Sequence, residues 1–147
     1  MSSPSVGEAE RVAVQEVLES RHLSIGPKLE AFERAFAGRL GVSHAVGVSS
    51  GTAGLHLSII AAGAGEHDLV ITSPFSFVAS ANCILYERAH PVFVDVDRCT
   101  GNLDPDLLSE AVEALMQGGD SARPWLPPAL RQASPSSIGR LRAILPV

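Results

Sequence analysis

The chain has 147 residues, 46% apolar and 18% charged, which suffices for one folded domain and is short for two of full size. A net charge of −5 argues against a general nucleic-acid binder, whose phosphate contacts need a basic surface, and no stretch approaches the roughly 20 apolar residues of a membrane span. Met1-Ser2-Ser3-Pro4 runs into Glu8, Glu10 and Arg11 without a signal-peptide core. The two cysteines, Cys83 and Cys99, form neither a disulfide framework nor a CxxC motif, so a soluble cytoplasmic protein is expected.

In chain order, Val12, Val17 and Leu18 give residues 8–20 helical spacing. Ser24-Ile25-Gly26-Pro27 interrupts it. Pro27 suits a first helical position, Leu29, Phe32, Phe36 and Leu40 recur at helical steps, and Gly41 closes that second helix. Ala45-Val46-Gly47-Val48 reads as a strand, followed by a helix near 53–62. Leu69-Val70-Ile71 reads as a second strand with a helix near 76–87 behind it, and Pro91 to Asp95 as a third. Asp104-Pro105 caps and opens a helix near 105–116. Strands alternating with helices predict an α/β fold with a mostly parallel sheet.

Composition changes at Gly118. Seven basic residues face fifteen acidic ones before it, and four face one from it onward. Residues 118–137 hold four of the ten prolines with Gly118 and Gly119, and read as a long loop or insertion. Leu141 to Val147 reads as a fourth strand. A parallel strand normally continues into a crossover helix, so the chain reads as truncated there.

Two segments could carry chemistry. Val48-Ser49-Ser50-Gly51-Thr52-Ala53-Gly54 lies between a strand and a helix, where free amides favour an anion and glycine permits close approach. A serine-rich helix cap would look the same. Gly47, Gly51 and Gly54 are spaced G-x-x-x-G-x-x-G, which is neither the dinucleotide fingerprint nor a P-loop, and this disfavours a nicotinamide enzyme. Thr72 to Ser80 follows the next strand, where open α/β sheets place ligands. Phe75 or Phe77 could stack on a flat ring there, or simply fill the core. His22, His44, His56, His67 and His90 lack metal-ligand spacing, Asp95 and Asp97 read as strand-end or turn residues, and no nucleophile elbow is present.

Ser50 to Leu57, Asp68 to Thr72, Phe77 to Asn82 and Pro91 to Asp97 together resemble the DegT/DnrJ/StrS-type sugar aminotransferases, fold-type I pyridoxal-phosphate enzymes. Ser24 to Phe36 resembles that family's early Gly-Pro segment. The resemblance spans roughly residues 8–116 and resumes at Arg142. It implies that residues 1–41 are an N-terminal helical segment and 42–117 the first part of the cofactor-binding large domain. By the same reading, 138–147 are a terminal strand, and 118–137 an insertion.

The resemblance also implies that Gly51, Thr52 and Ala53 cradle the phosphate of pyridoxal 5'-phosphate and that Phe77 stacks on its ring. Ser24, Ile25 and Gly26 would lie near the substrate entrance. The implied reaction moves an amino group from a donor onto a nucleotide-linked keto sugar, in a homodimer. The family's Schiff-base lysine lies downstream of the strand matching Leu141 to Val147, and Lys28, the only lysine here, precedes the first strand. The expectation is therefore the N-terminal portion of such an enzyme, inactive alone, with no catalytic residue of its own. The alternative is a non-catalytic phosphate-binding or subunit-interaction fragment. The family plan also pairs the strand near 45–48 with one that comes late in sequence, which predicts marginal stability or oligomerisation.

Overall fold

The computed structural model describes residues 3–134 and 138–146. The chain divides into two compact units, 1–48 and 49–147.

The first unit holds two helices. Helix α1 (Glu8–Glu19) opens at Gly7, whose N–H donates to the Glu10 carboxylate at 2.7 Å. That bond holds the Glu10 carboxyl below its usual range. Helix α2 (Pro27–Leu40) has proline in its first turn and ends at Gly41, where φ of +69° is the left-handed conformation glycine adopts without strain. The expected strand at Ala45 to Val48 does not form. An apolar run becomes a strand only beside a ladder partner, and among the described residues it has none. The Gly47 N–H instead donates to the Glu33 carboxylate at 2.7 Å, and Leu29 packs so closely on Gly47 that a Cβ would collide with it.

The second unit is a three-stranded parallel sheet between layers of helix. Helix α3 (Gly51–Ala61) leads to strand β1 (Leu69–Thr72), helix α4 (Ala79–Tyr86) and strand β2 (His90–Phe93). Helix α5 (Pro105–Gln117), the short helix α6 (Gly119–Ala122), a 3-10 turn (Pro128–Leu130) and strand β3 (Leu141–Leu145) follow. The strand order is β2-β1-β3, with Ile71 opposite both Val92 and Ile144. The three expected strands after residue 68 therefore pair, and of their expected extent Val147 lies outside the described residues.

Central β1 is buried along its whole length. Its side chains alternate between two cores, as a pleated strand requires. Leu69 and Ile71 join Val92, Val94, Ala111 and Leu115 on the α5 side, while Val70 joins Ile59, Cys83 and Ile84 on the α3 and α4 side.

Two expectations shift here. The helix expected from 76 begins at 79, because residues 73–78 are taken up by a hydrogen-bonded turn. The expected loop over 118–137 is packed structure in its described part, 118–134. Ala122 and Leu126 are buried in the α5-side core with Trp125 and Leu130 against them. Its prolines interrupt helices without preventing burial, and the apolar side chains between them recur at three- and four-residue steps. Residues 135–137 lie outside the described residues. Among the described residues, no helix is long and apolar enough to cross a membrane.

Candidate functional site

Chain direction fixes where ligand-binding atoms can lie. Helix α3 runs back toward the start of β1, so its first turn lies at the carboxyl end of the sheet, and α4 leaves from that same end. The two helices pack on each other and on the sheet. This is the end of a parallel sheet at which α/β proteins place ligands.

At the α3 end, Ser50 is the cap. Its hydroxyl accepts from the Ala53 N–H at 3.1 Å and its carbonyl from the Gly54 N–H at 3.1 Å. The amide expected from Ala53 is thus already held by the cap, and the open donors are the Gly51 and Thr52 amides with the Thr52 hydroxyl. A Cβ on Gly51 would meet nothing within 4 Å, so the space beside Gly51 is clear. The free amides and the positive end of the helix dipole suit an anion of phosphate size.

At the end of β1, Thr72 is fully buried and its hydroxyl has no hydrogen-bond partner among the described residues. A buried orphan hydroxyl is uncommon, and it marks this end of the sheet as unsatisfied. The turn that follows exposes two aromatic rings, Phe75 at 72% and Phe77 at 76%. They differ in setting. The Phe75 ring edge lies 3.7 Å from where a Cβ on Gly101 would sit, whereas Phe77 stands on a turn closed by the Ser80 N–H bond to its carbonyl at 3.1 Å.

Other expected residues belong to other segments. Ser24, Ile25 and Gly26 belong to the first unit, where they line a hollow of about 230 Å³ with Glu16, His22 and Lys28. Ile25 is 92% exposed and adopts a positive φ of 42°. The Lys28 ammonium lies 2.7 Å from the Glu16 carboxylate. Asp95 and Asp97 are turn residues: the Asp95 carboxylate accepts from the Val96 N–H, and that of Asp97 from the Cys99 and Thr100 amides. The Thr100 bonds hold the Asp97 carboxyl below its usual range. Among the described residues, no three His, Cys, Asp or Glu side chains gather as metal ligands would.

The sequence reading did not find the His56–Glu87 pair, Nε2 to Oε1 2.6 Å, with the Tyr86 ring edge-on to the imidazole. The two residues are 31 apart and meet only because α3 packs on α4. No periodicity within either helix could have signalled it.

The profile of the DegT/DnrJ/EryC1/StrS aminotransferase family matches residues 4–117. The chain belongs to that family. It is 49% identical over 111 residues to the spore coat polysaccharide biosynthesis protein SpsC of Bacillus subtilis, a match covering 76% of this chain and 28% of that protein. A Methanocaldococcus jannaschii protein is 40% identical over 109 residues, 74% of this chain and 28% of its own length. The chain thus spans 28% of the length of these two curated relatives.

Among solved structures, the PLP-form of Spr1654 from Streptococcus pneumoniae superposes with a TM-score of 0.69. It is 34% identical, covering 75% of this chain and 28% of that one. A family aminotransferase from Brucella abortus gives a TM-score of 0.68 at 26% identity, over 95% of this chain and 35% of that one. The parallel sheet flanked by helices is part of the fold of these fold-type I aminotransferases. The family and the PLP-form and PMP-form structures imply pyridoxal phosphate as cofactor.

Proposed function

We propose that these 147 residues are the N-terminal portion of a pyridoxal-phosphate aminotransferase acting on nucleotide-linked keto sugars in amino-sugar or polysaccharide biosynthesis. The observation that carries this reading is the family match over residues 4–117, which takes in both the open first turn of α3 and the exposed Phe77. The name of the Bacillus subtilis relative supports the polysaccharide setting.

The residues present fit two parts of the cofactor. The clear space beside Gly51, with the Gly51 and Thr52 amides and the Thr52 hydroxyl, suits the phosphate. Phe77, exposed on a fixed turn, suits the flat face of the ring. Ala53 lines the cup while Ser50 holds its amide. When bound, the cofactor supplies an electron sink for exchange of an amino group. This chain's residues anchor the phosphate, cover one ring face and exclude water from it. Ser24, Ile25 and Gly26 belong near the substrate entrance, where an amino donor and a nucleotide sugar would arrive in turn. We place the protein in the cytoplasm as a homo-oligomer.

Transamination also needs a lysine to hold the cofactor and move a proton, and a carboxylate at the ring nitrogen. The second unit contains no lysine, and Lys28 is paired with Glu16 in the first. These 147 residues are therefore expected to bind the cofactor without turning over. The lack of a lysine in the second unit favours a second reading, a non-catalytic phosphate-binding or subunit-interaction fragment.

The test is a pyridoxal-phosphate titration of the chain, then borohydride reduction and intact mass. Saturable binding with no mass added supports the proposal, and Thr52→Ala should weaken it about tenfold by removing a hydrogen bond to a charged group. A stoichiometric adduct on Lys28 would overturn the placement of that lysine. Absence of binding would leave the non-catalytic reading in its place.

A further inference from the structure

We infer that Ser80 is a positioning residue: through a hydrogen bond to Ser76 it staples the turn that presents Phe77 to the cofactor ring. The inference rests on the function proposed above and extends it to a residue that touches no ligand. Ser80 is 3% exposed, in the first turn of α4, with apolar Ala79, Cys83 and Ile84 also buried on that helix. A buried hydroxyl in such surroundings destabilises the fold unless it is hydrogen-bonded. Its partner is the Ser76 hydroxyl at 2.8 Å, four residues back on the far side of Phe77.

Ser80 grips the turn once more and is itself held from within α4. Its N–H donates to the Phe77 carbonyl at 3.1 Å, and its own carbonyl accepts from the Cys83 thiol at 3.3 Å. Residue 80 thus bonds the side chain of residue 76 and the main chain of residue 77, and Cys83, fully buried, ties residue 80 to the core. Phe77 is left 76% exposed on a turn held at residue 76 and at its own carbonyl. For a residue of the core this would be wasteful. For a ring that meets a flat ligand it removes the ordering cost of binding in advance. Phe75 is not served by this staple, since its N–H is held separately by the Ser73 hydroxyl at 3.1 Å.

The experiment is a pyridoxal-phosphate titration of the 147-residue chain, followed by the quenching of Trp125, its only tryptophan. Ser80→Ala and Ser76→Ala should each raise Kd about three- to tenfold, the range expected for one hydrogen bond. Ser80→Thr, which keeps the hydroxyl, should restore most of the affinity. In a Phe77→Ala background, Ser80→Ala should add nothing, because the serine acts only through that ring. Ser76 is exposed, so Ser76→Ala decides the matter if Ser80→Ala fails to fold. No binding by the unaltered chain sinks the functional proposal itself and this inference with it, whereas full affinity in Phe77→Ala sinks this inference and leaves the family reading standing. The positioning role alone falls if Phe77→Ala weakens binding while Ser76→Ala and Ser80→Ala do not. It falls equally if Ser80→Ala weakens binding as much without Phe77 as with it.

Discussion

Gly139 shows what one hydrogen atom in place of a side chain can decide. A Cβ there would come within 2.7 Å of the His67 carbonyl carbon and oxygen and 2.8 Å of the Asp68 nitrogen, all main-chain atoms that cannot yield. The Gly139 N–H also donates to the His67 carbonyl at 2.9 Å, tying the approach to β3 to the approach to β1. Gly139→Ala should therefore destabilise the chain by about 1–3 kcal/mol, the usual range for overpacking, as read by urea unfolding. His90 lies at the same end of the sheet. Burial first, and the neighbouring His67 second, hold its imidazole below the ordinary value of 6.5, and its Nε2 has no partner among the described residues. The other charges nearby are Glu66, Arg88 and the Arg142–Asp68 pair at 3.2 Å. A depressed folded-state value means that the folded chain favours neutral His90. Stability is then full above pH 6.5 and is lost as pH falls from there through the lower folded value. The melting temperature should drop between pH 7.5 and pH 5.5, and His90→Leu should flatten that dependence. Neither residue was legible beforehand, because Gly139 meets His67 across 72 positions and His90 meets it across 23.

At the scale of elements, local chemistry was a good guide wherever a helix end was involved. Asp104-Pro105 read as a cap and first turn, and the Asp104 carboxylate does accept from the Asp106 and Leu107 amides at 2.9 and 3.1 Å. Asp104→Ala should cost about 1 kcal/mol of stability and Asp104→Asn less, since asparagine also caps, with both measured by thermal denaturation. Gly41 likewise closes α2 as its sequence indicates. Strands were less legible, for a physical reason. A helix satisfies its own amides, whereas a strand needs a neighbour that the local sequence does not contain. Leu69 to Thr72 finds two neighbours and is buried throughout, while Ala45 to Val48, also an apolar run, finds none among the described residues and turns its Gly47 amide to Glu33. The candidate site divides the same way. The glycine turn and the aromatic segment could be read from residue types, but the loss of the Ala53 amide to Ser50 and the Ser76–Ser80 staple depend on how the folded turns orient those groups.

Across the whole second unit, the decisive question is what closes the α5 side of the sheet. Proline and glycine density marked residues 118–137 as a loop, yet Ala122 and Leu126 are 6% and 3% exposed in the same core as Leu69 and Ile71. Burial of this segment thus adds to the cover given by α5, and the sheet core should weaken when it is damaged. The family profile stops at residue 117, so this cover is built by sequence outside the matched region. Leu126→Ala removes a nearly fully buried side chain and should cost about 2–5 kcal/mol, the range for such truncations in cores. Phe75→Ala removes a larger side chain that is 72% exposed, and should change stability by no more than about 0.5 kcal/mol. A composition argument orders these two the other way, since it places residue 126 in a linker and residue 75 in a core aromatic pair. Urea unfolding of both variants separates the accounts. If Leu126→Ala proved as mild as Phe75→Ala, residues 118–134 would be a loop lying on the sheet rather than part of what holds it.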